Sequence, residues 1–465
     1  MTSNKLRLSK LKRPKGLKRL KSLRGTTRSL AIGSAAAALA VAAAACSSGG
    51  SDSSGASSSG TLKIITWVNP PAVKALNQID SEFEKANPGI KVSLQTAANV
   101  NGPYETLLQQ SVNSGTADIV TANTPLLPLP KSTGSSSGLT PIQLWITKGA
   151  FAPLNGQSFL NDYTSAAQYA DTYQGKTYGL VSGEYQEGVF YNKAIFAQYH
   201  LSVPTTFSQF LADCQTLKQH GVQPLYTATG NVGPVYLQFE YYEAMTDLWY
   251  PKAPGGNLAN DIMNGTEKWT DPAFVQGMAE EKQLAQYLEP NYTGIPWQSM
   301  QGGDFANGKD AMLLDGSWDL SSIHQANPKL QLGYFPIPFS NTAADNQSYS
   351  QNDLTFYVLQ HSQNQTAAMK WLSFFSKPDI YAQYVNTTGI SSSQKSGTFT
   401  GFASQVLGSW FGKGVNQTVM YPALSPSNGY YDQQANWPNL QLSVMQGKMT
   451  PQQAAATYQK DWKSS

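Results

Sequence analysis

The sequence predicts an α/β protein whose body folds as two lobes. From Thr61 onward, short runs of strand composition alternate with amphipathic helical segments, the pattern of a largely parallel sheet covered by helices. The chain has 465 residues, more than one ordinary core organises at roughly 100–200 residues per domain. Its 40% hydrophobic and 11% aromatic residues can fill large cores, which rules out global disorder. No obvious linker and no fixed-period repeat divides the body.

The elements follow in order. Residues 1–30 hold eleven basic side chains, from Lys5 to Arg28, and no acid. Leu30 to Ala45 is apolar apart from Gly33 and Ser34, too short for the roughly twenty residues of a membrane-spanning helix and right for the core of a signal peptide. Val41-Ala42-Ala43-Ala44-Ala45-Cys46 then opens a Ser/Gly stretch to Gly60. Small residues before a cysteine, with a flexible tail behind it, resemble the lipobox of bacterial lipoproteins, with Ala43 where leucine is usual. That resemblance implies cleavage before Cys46 and a lipid on its thiol, with the tail as a random-coil tether. Ordinary cleavage after Ala45, with Cys46 a plain thiol, is the competing reading.

Leu62 to Val68 has strand composition, and Ala72, Leu76, Ile79 and Phe83 recur at helical spacing over 72–85. Asn87-Pro88-Gly89 ends that helix, and Ile90 to Leu94 alternates as a second strand. A helix over 104–113 leads into a third strand at Asp118 to Thr121. Ligands of such sheets bind beyond the carboxyl ends of the strands, here Trp67 to Asn69 and Thr121 to Thr124. Leu126 to Thr140 reads as a loop or insertion. Residues 205–220 form a helix capped by Thr205 or Thr206, with Phe207, Phe210, Leu211, Cys214 and Leu217 on one face. Cys214 reads as a small buried apolar residue. Further helices are expected over 273–288, 365–376 and 451–462, the last with Thr450 as N-cap and Pro451 at the first turn.

Charge and chemistry exclude several functions. Beyond residue 30 the chain holds 21 basic against 29 acidic residues, which argues against a nucleic-acid partner. Two cysteines make neither a disulfide framework nor a thiolate metal site. His200, His220, His324 and His361 lie far apart, so no zinc spacing is present. Gly134-Ser135-Ser136-Ser137-Gly138 matches the nucleophile-elbow pattern, but it lies in a Ser-rich loop without the required strand and helix. No phosphate loop or dinucleotide fingerprint follows a strand. No cofactor, metal or catalytic residue is expected.

Six landmarks in order resemble the extracellular solute-binding proteins of bacterial ABC importers, in the group that binds sugars. They are Phe83 to Val92 (FEKANPGIKV); Ser114-Gly115 with Ala117 to Val120; Gly175 to Leu180 with Phe190 to Lys193; Pro204 to Phe210; Phe305 to Met312 with Gly316-Ser317-Trp318; and Gly447 to Pro451 with Ala454. Val181 stands where proline is usual and Phe207 where tryptophan is. The resemblance implies a two-lobe periplasmic-binding-protein-like fold of type II, with a hinge and a ligand cleft between the lobes. It implies a signal peptide over 1–45, a tether over 46–60, lobe one over 61–180 and lobe two over 181–334. A return to lobe one is placed at 335–365, and lobe two with helices closing the cleft at 366–465. It also implies a monomer, anchored outside the cell membrane by Cys46, that delivers a carbohydrate to an ABC permease.

A sugar needs aromatic faces for its C–H surface and planar amides or carboxylates for its hydroxyls. Trp318, in Asp315-Gly316-Ser317-Trp318-Asp319, matches the family's cleft aromatic, and its competing role is packing at a helix start. Trp67 and Asn69 end the first strand, and Asn123 follows the third, where turn formation is an equal explanation. Glu184 and Tyr185 occupy the first crossing segment, Asn352 and Asp353 the segment after the return. Trp249 lies in an aromatic-rich stretch that core packing explains as well, and Trp437 precedes the C-terminal helix where the family places another stacking aromatic. Two alternatives stay open: a secreted carbohydrate-active hydrolase, which needs two carboxylates about 5–10 Å apart, and the same binding fold serving a peptide or polyamine.

Overall fold

The computed structural model describes residues 60–98, 102–123, 140–230, 237–253, 256–397, 399–416, 424–425, 429–430 and 433–464. The tail, Cys46 and the pentapeptide at 134–138 lie outside the described residues, as does the loop expected over 126–140 except Thr140. Among the described residues no helix is long and apolar enough to cross a membrane.

The first strands and helices are β1 (Gly60–Trp67), α1 (Pro70–Ala86), β2 (Ile90–Ala97), α2 (Pro103–Ser114), β3 (Ile119–Ala122), α3 (Pro141–Thr147) and α4 (Ser165–Ala170). The hairpin β4 (Thr172–Tyr173) and β5 (Lys176–Thr177) precedes β6 (Gly179–Val181) and β7 (Glu184–Asn192). Then come α5 (Lys193–Gln198), α6 (Phe207–Gln219), β8 (Gln223–Tyr226), α7 (Gln238–Leu248), α8 (Leu258–Asn264), α9 (Pro272–Leu284) and α10 (Ser299–Gly302). The chain continues through β9 (Asp310–Gly316), α11 (Leu320–Ala326), β10 (Leu332–Phe335), β11 (Tyr349–Asn352), β12 (Thr355–Val358), α12 (Gln365–Phe375), α13 (Pro378–Thr388) and α14 (Phe402–Leu407). It closes with β13 (Val415–Asn416), the pair β14 (Leu424–Ser425) and β15 (Gly429–Tyr430), α15 (Gln433–Met445) and α16 (Pro451–Ser464).

Two sheets organise the body. The first has the order β2-β1-β3-β12-β6, the second β13-β11-β7-β9-β8, with β10 also pairing β7. Strand alternation sends side chains to both faces. Leu62 and Ile64 of β1 pack with Ala72, Leu76, Ile79 and Phe83 of α1 and with α12 and α13, while Ile65 packs with Tyr104 and Ile142 on the other face. In the second sheet Val189 joins the core of α6, α7, α9, α15 and α16, and Phe190 joins that of α11 and α14. Cys214 is fully buried on the apolar face of α6, whose N-cap is Thr206. Thr450 and Gln453 close the start of α16 reciprocally, each backbone N–H donating to the other's side-chain oxygen.

The chain leaves the first sheet at Ser182-Gly183 and returns at Asp353-Leu354. A third passage, after α13, runs Ser391 beside Glu184 before α14 joins the second sheet. The passages are hydrogen-bonded side by side: Ser182 N–H to Leu354 O, Asp353 N–H to Gly183 O, Glu184 N–H to Ser391 O.

Two expected boundaries are corrected. Residues 335–353 do not return to lobe one, because β10 and β11 pair antiparallel with β7. The stretch from 366 does not open in lobe two, because α12 and α13 pack on α1 and β12. Apolar strands and helices of this kind suit either core, so their pattern does not say which sheet they join.

Candidate functional site

Strand directions decide where the two sheets present a common edge. In the first, β6 ends and β12 begins at the crossing; β3 is antiparallel to β12 and β1 parallel to β3, so their carboxyl ends reach the same side. In the second, β7 begins at the crossing and is antiparallel to β9 and β11, so Gly316 lies beside Glu187 and Asn352 beside Glu184. The carboxyl ends of β1, β3 and β6 in the first sheet and of β9 and β11 in the second therefore lie toward the crossing, where β7 and β12 begin; α/β sheets bind ligands at such an edge.

On the first-sheet side, Trp67 is half-buried edge-on against Tyr104, ring centroids 5.5 Å apart. Val68 beside it is 47% exposed, apolar surface left uncovered at the strand end. Asn69 caps α1, its Oδ1 accepting the Ala72 N–H at 3.3 Å. Asn123, just past β3, is exposed.

At the crossing, Glu184 is half-buried, and Ser350 Oγ donates to its Oε2 at 2.9 Å. Burial pushes its carboxyl above the usual range, against the hydrogen bonds from Ser350 and Asn416. Tyr185 donates its hydroxyl to Gln351 Oε1 at 2.8 Å, and Gln351 Nε2 donates to Glu187 Oε1 at 3.0 Å. Asn352 is buried and accepts from Asn416 Nδ2 at 3.1 Å. Asp353 is buried, and desolvation pushes its carboxyl up to about 7.

On the second-sheet side, Trp318 follows β9 on a single 3-10 turn, Ser317–Asp319. Its half-buried indole meets Tyr185 edge to face, 4.6 Å between centroids. Gly316 lies directly beneath: a β-carbon there would fall 1.9 Å from Trp318 Cζ3, so only glycine lets the ring lie back on the strand. Ser317 Oγ accepts the Gln186 N–H at 3.1 Å, and Gln301 Nε2 donates to Asp319 Oδ1 at 2.8 Å, which ties the turn to β7 and α10.

The structure thus gathers Glu184, Tyr185, Trp318, Asn352 and Asp353 at the crossing, with Trp67, Asn69 and Asn123 along the same edge. Two expected residues are not part of it. Trp437 is fully buried in the second-lobe core, 4.1 Å from Tyr241 and 4.7 Å from Tyr458 between centroids. Trp249 is 3% exposed at the end of α7 in the same core. Trp249 follows its packing alternative, and Trp437 is a correction to the expected stacking role, since a large aromatic surface is most readily buried among other rings.

The sequence reading passed over Gln186, Glu187, Gln351 and Ser391. Gln186 Nε2 donates to Ser348 Oγ at 2.9 Å and to Trp410 O at 2.7 Å, while its Oε1 accepts from Ser391 Oγ at 2.7 Å. The signal was the polar run Glu184 to Glu187 opening a strand that ends apolar. A buried polar run needs partners on every side, and here the partners come from the other crossing segments.

Residues 67–382 match the family model of the bacterial extracellular solute-binding protein. The multiple sugar-binding protein of Streptococcus mutans serotype c is 23% identical over 323 residues, 68% of this chain and 70% of that protein. Among solved structures, the solute-binding protein RafE in complex with raffinose superposes with TM-score 0.68 at 18% identity, covering 87% of this chain and 100% of that one. A chitin oligosaccharide binding protein gives TM-score 0.67 at 20% identity, over 87% and 98%. These likenesses show the two-lobe α/β fold.

Proposed function

Because this chain belongs to the bacterial extracellular solute-binding proteins, we propose that it captures a carbohydrate between its lobes and hands it to the permease of an ABC importer. The observation that carries this reading is Trp318. It is a half-buried indole on a glycine-made seat, placed where polar groups of both sheets converge. Trp67 opposite would supply a second aromatic surface, and Asn69, Asn123, Glu184 and Asn352 the hydroxyl partners. A ligand touching both edges gains its full contacts only when the lobes close, and that difference in affinity drives closure. The relatives' binding of sugars supports the ligand class, and the basic, apolar and small-residue order before Cys46 supports a lipid anchor outside the cell. The protein acts as a monomer without turnover, each copy delivering one ligand.

A thermal-shift screen of mono- and oligosaccharides, polyols and cationic solutes tests the reading. A ligand at a hundred times its dissociation constant stabilises by about 2.7 kcal/mol, a shift of a few degrees. The expected outcome is a saccharide hit recovered chemically intact. A saccharide recovered cleaved would establish a hydrolase, and a shift with peptides or polyamines alone would remove the sugar.

A further inference from the structure

We infer that the site rejects negative charge: its ligands are uncharged or amine-bearing saccharides, and uronate- or phosphate-bearing ones are excluded. The inference rests on carbohydrate capture and narrows it.

The first ground is what the chain lacks. All 21 basic residues beyond Arg28 are lysines. Arginine's planar fork is the usual partner for carboxylates and phosphates held in two-point contact, and the body has none. The lysines flanking the sheets also sit at the wrong ends of their strands. Lys63 and Lys91 lie near the starts of β1 and β2, Lys176 precedes β6, Lys193 follows β7 and Lys309 precedes β9. By the strand directions above, each is at the edge away from the crossing. Lys131 lies outside the described residues.

A second ground is the helix starts. A helix beginning at a sheet's carboxyl edge ordinarily offers free N–H groups and a positive dipole end to an anion. Here α1 opens with Pro70 and Pro71, which have no N–H, and its next two amides are spent on Asn69, Ala72 N–H on Oδ1 and Val73 N–H on the backbone carbonyl. Helix α2 opens with Pro103; its Tyr104 N–H bonds Ala98 O, and Glu105 sets a carboxylate in the first turn. Behind Trp318, α11 has Asp319 as its N-cap residue. Each of these ends is closed by proline or by an acid.

The third ground is what the edge does carry. Glu184, Glu187 and Asp353 stand at the crossing, and Asp315 and Asp319 flank Trp318. An anionic ligand would lose its hydration beside carboxyl groups, with no arginine in the body to offset the loss. Three described lysines come near: Lys74 lies five residues past Asn69 in α1, Lys395 lies four past Ser391 with its Nζ donating to Asn161 O, and the backbone carbonyl of Lys413 accepts from Gln186 Nε2; all three side chains are exposed.

The test titrates the full-length protein calorimetrically with matched probes: galactose against galacturonate, xylotriose against its glucuronate-bearing form, and chitotriose against its deacetylated triamine. Glycerol 3-phosphate and spermidine serve as non-sugar probes. For the two neutral–anionic pairs, where a member binds, the uncharged form is expected to bind at least about tenfold tighter than its anionic counterpart, with the gap narrowing in salt; the triamine is expected to bind at least as tightly as chitotriose. Lys413→Gln should leave the ranking unchanged. An anionic saccharide binding as well as its neutral partner, or glycerol 3-phosphate binding alone, overturns the inference while leaving a solute-binding protein. Spermidine binding with no saccharide bound overturns carbohydrate capture and upholds the charge selection.

Discussion

Trp318 and Gly316 act as one unit, and the pair makes the sharpest residue-scale predictions. Trp318→Ala removes the half-buried indole while leaving β9 and its core contacts in place. Losing a central aromatic anchor commonly costs about 2 kcal/mol or more of binding, roughly thirtyfold in affinity. Titration with a saccharide hit should show that loss with little change in melting temperature. Gly316→Ala should weaken the same ligand without touching it, since its new β-carbon displaces the ring. Trp437→Ala is the contrast. Emptying a fully buried site among Tyr241, Trp269 and Tyr458 should destabilise the fold by about 3–5 kcal/mol, read by denaturant unfolding. If Trp437→Ala instead spared stability and abolished binding, the placement of the two tryptophans would be reversed. Their difference was not legible from composition, because both are Trp beside polar neighbours; Gly316 before Trp318 was the informative sign.

At the scale of elements, what the sequence showed and what it hid divide along local and non-local physics. Helix α1 was legible because Ala72, Leu76, Ile79 and Phe83 keep a helical period and Asn87-Pro88-Gly89 stops it; all four are buried. The α6 cap and stripe were legible for the same reason. Sheet membership was not. Leu332 to Phe335 and Tyr349 to Asn352 have strand composition that suits either sheet, and pairing with β7 is settled only by the third dimension. The crossing itself is tightly fitted. A β-carbon on Gly183 would lie 2.5 Å from Ile390 Cδ1 and 2.7 Å from the Ser391 carbonyl. Gly183→Ala should therefore push the first and third passages apart, lowering the melting temperature by several degrees and altering the ligand-induced change in small-angle scattering. An unchanged melt and an unchanged scattering response would show that the passages are not coupled there.

For the molecule as a whole, buried carboxyls set the response to pH. Burial raises Asp80, Asp171, Glu280, Asp310 and Asp353 to about 7, from 4.5 for Glu280 and 3.8 for the four aspartates. Between the unfolded and folded values the native state binds more protons, so stability falls as pH rises from about 4 to 7 and levels off above. Melting temperature should accordingly climb as pH is lowered from 8 toward 5, and Asp353→Asn should flatten part of that slope. A melt that fell on mild acidification would contradict these burials. In this reading one ligand touches both lobes at the edge they share. Hydrogen exchange with and without the saccharide that shifts the melt tests it most directly. Simultaneous protection is expected at Trp67 to Asn69, at Glu184 to Glu187 and at Ser317 to Asp319. Protection confined to one sheet's edge, or centred on Trp437, would contradict it.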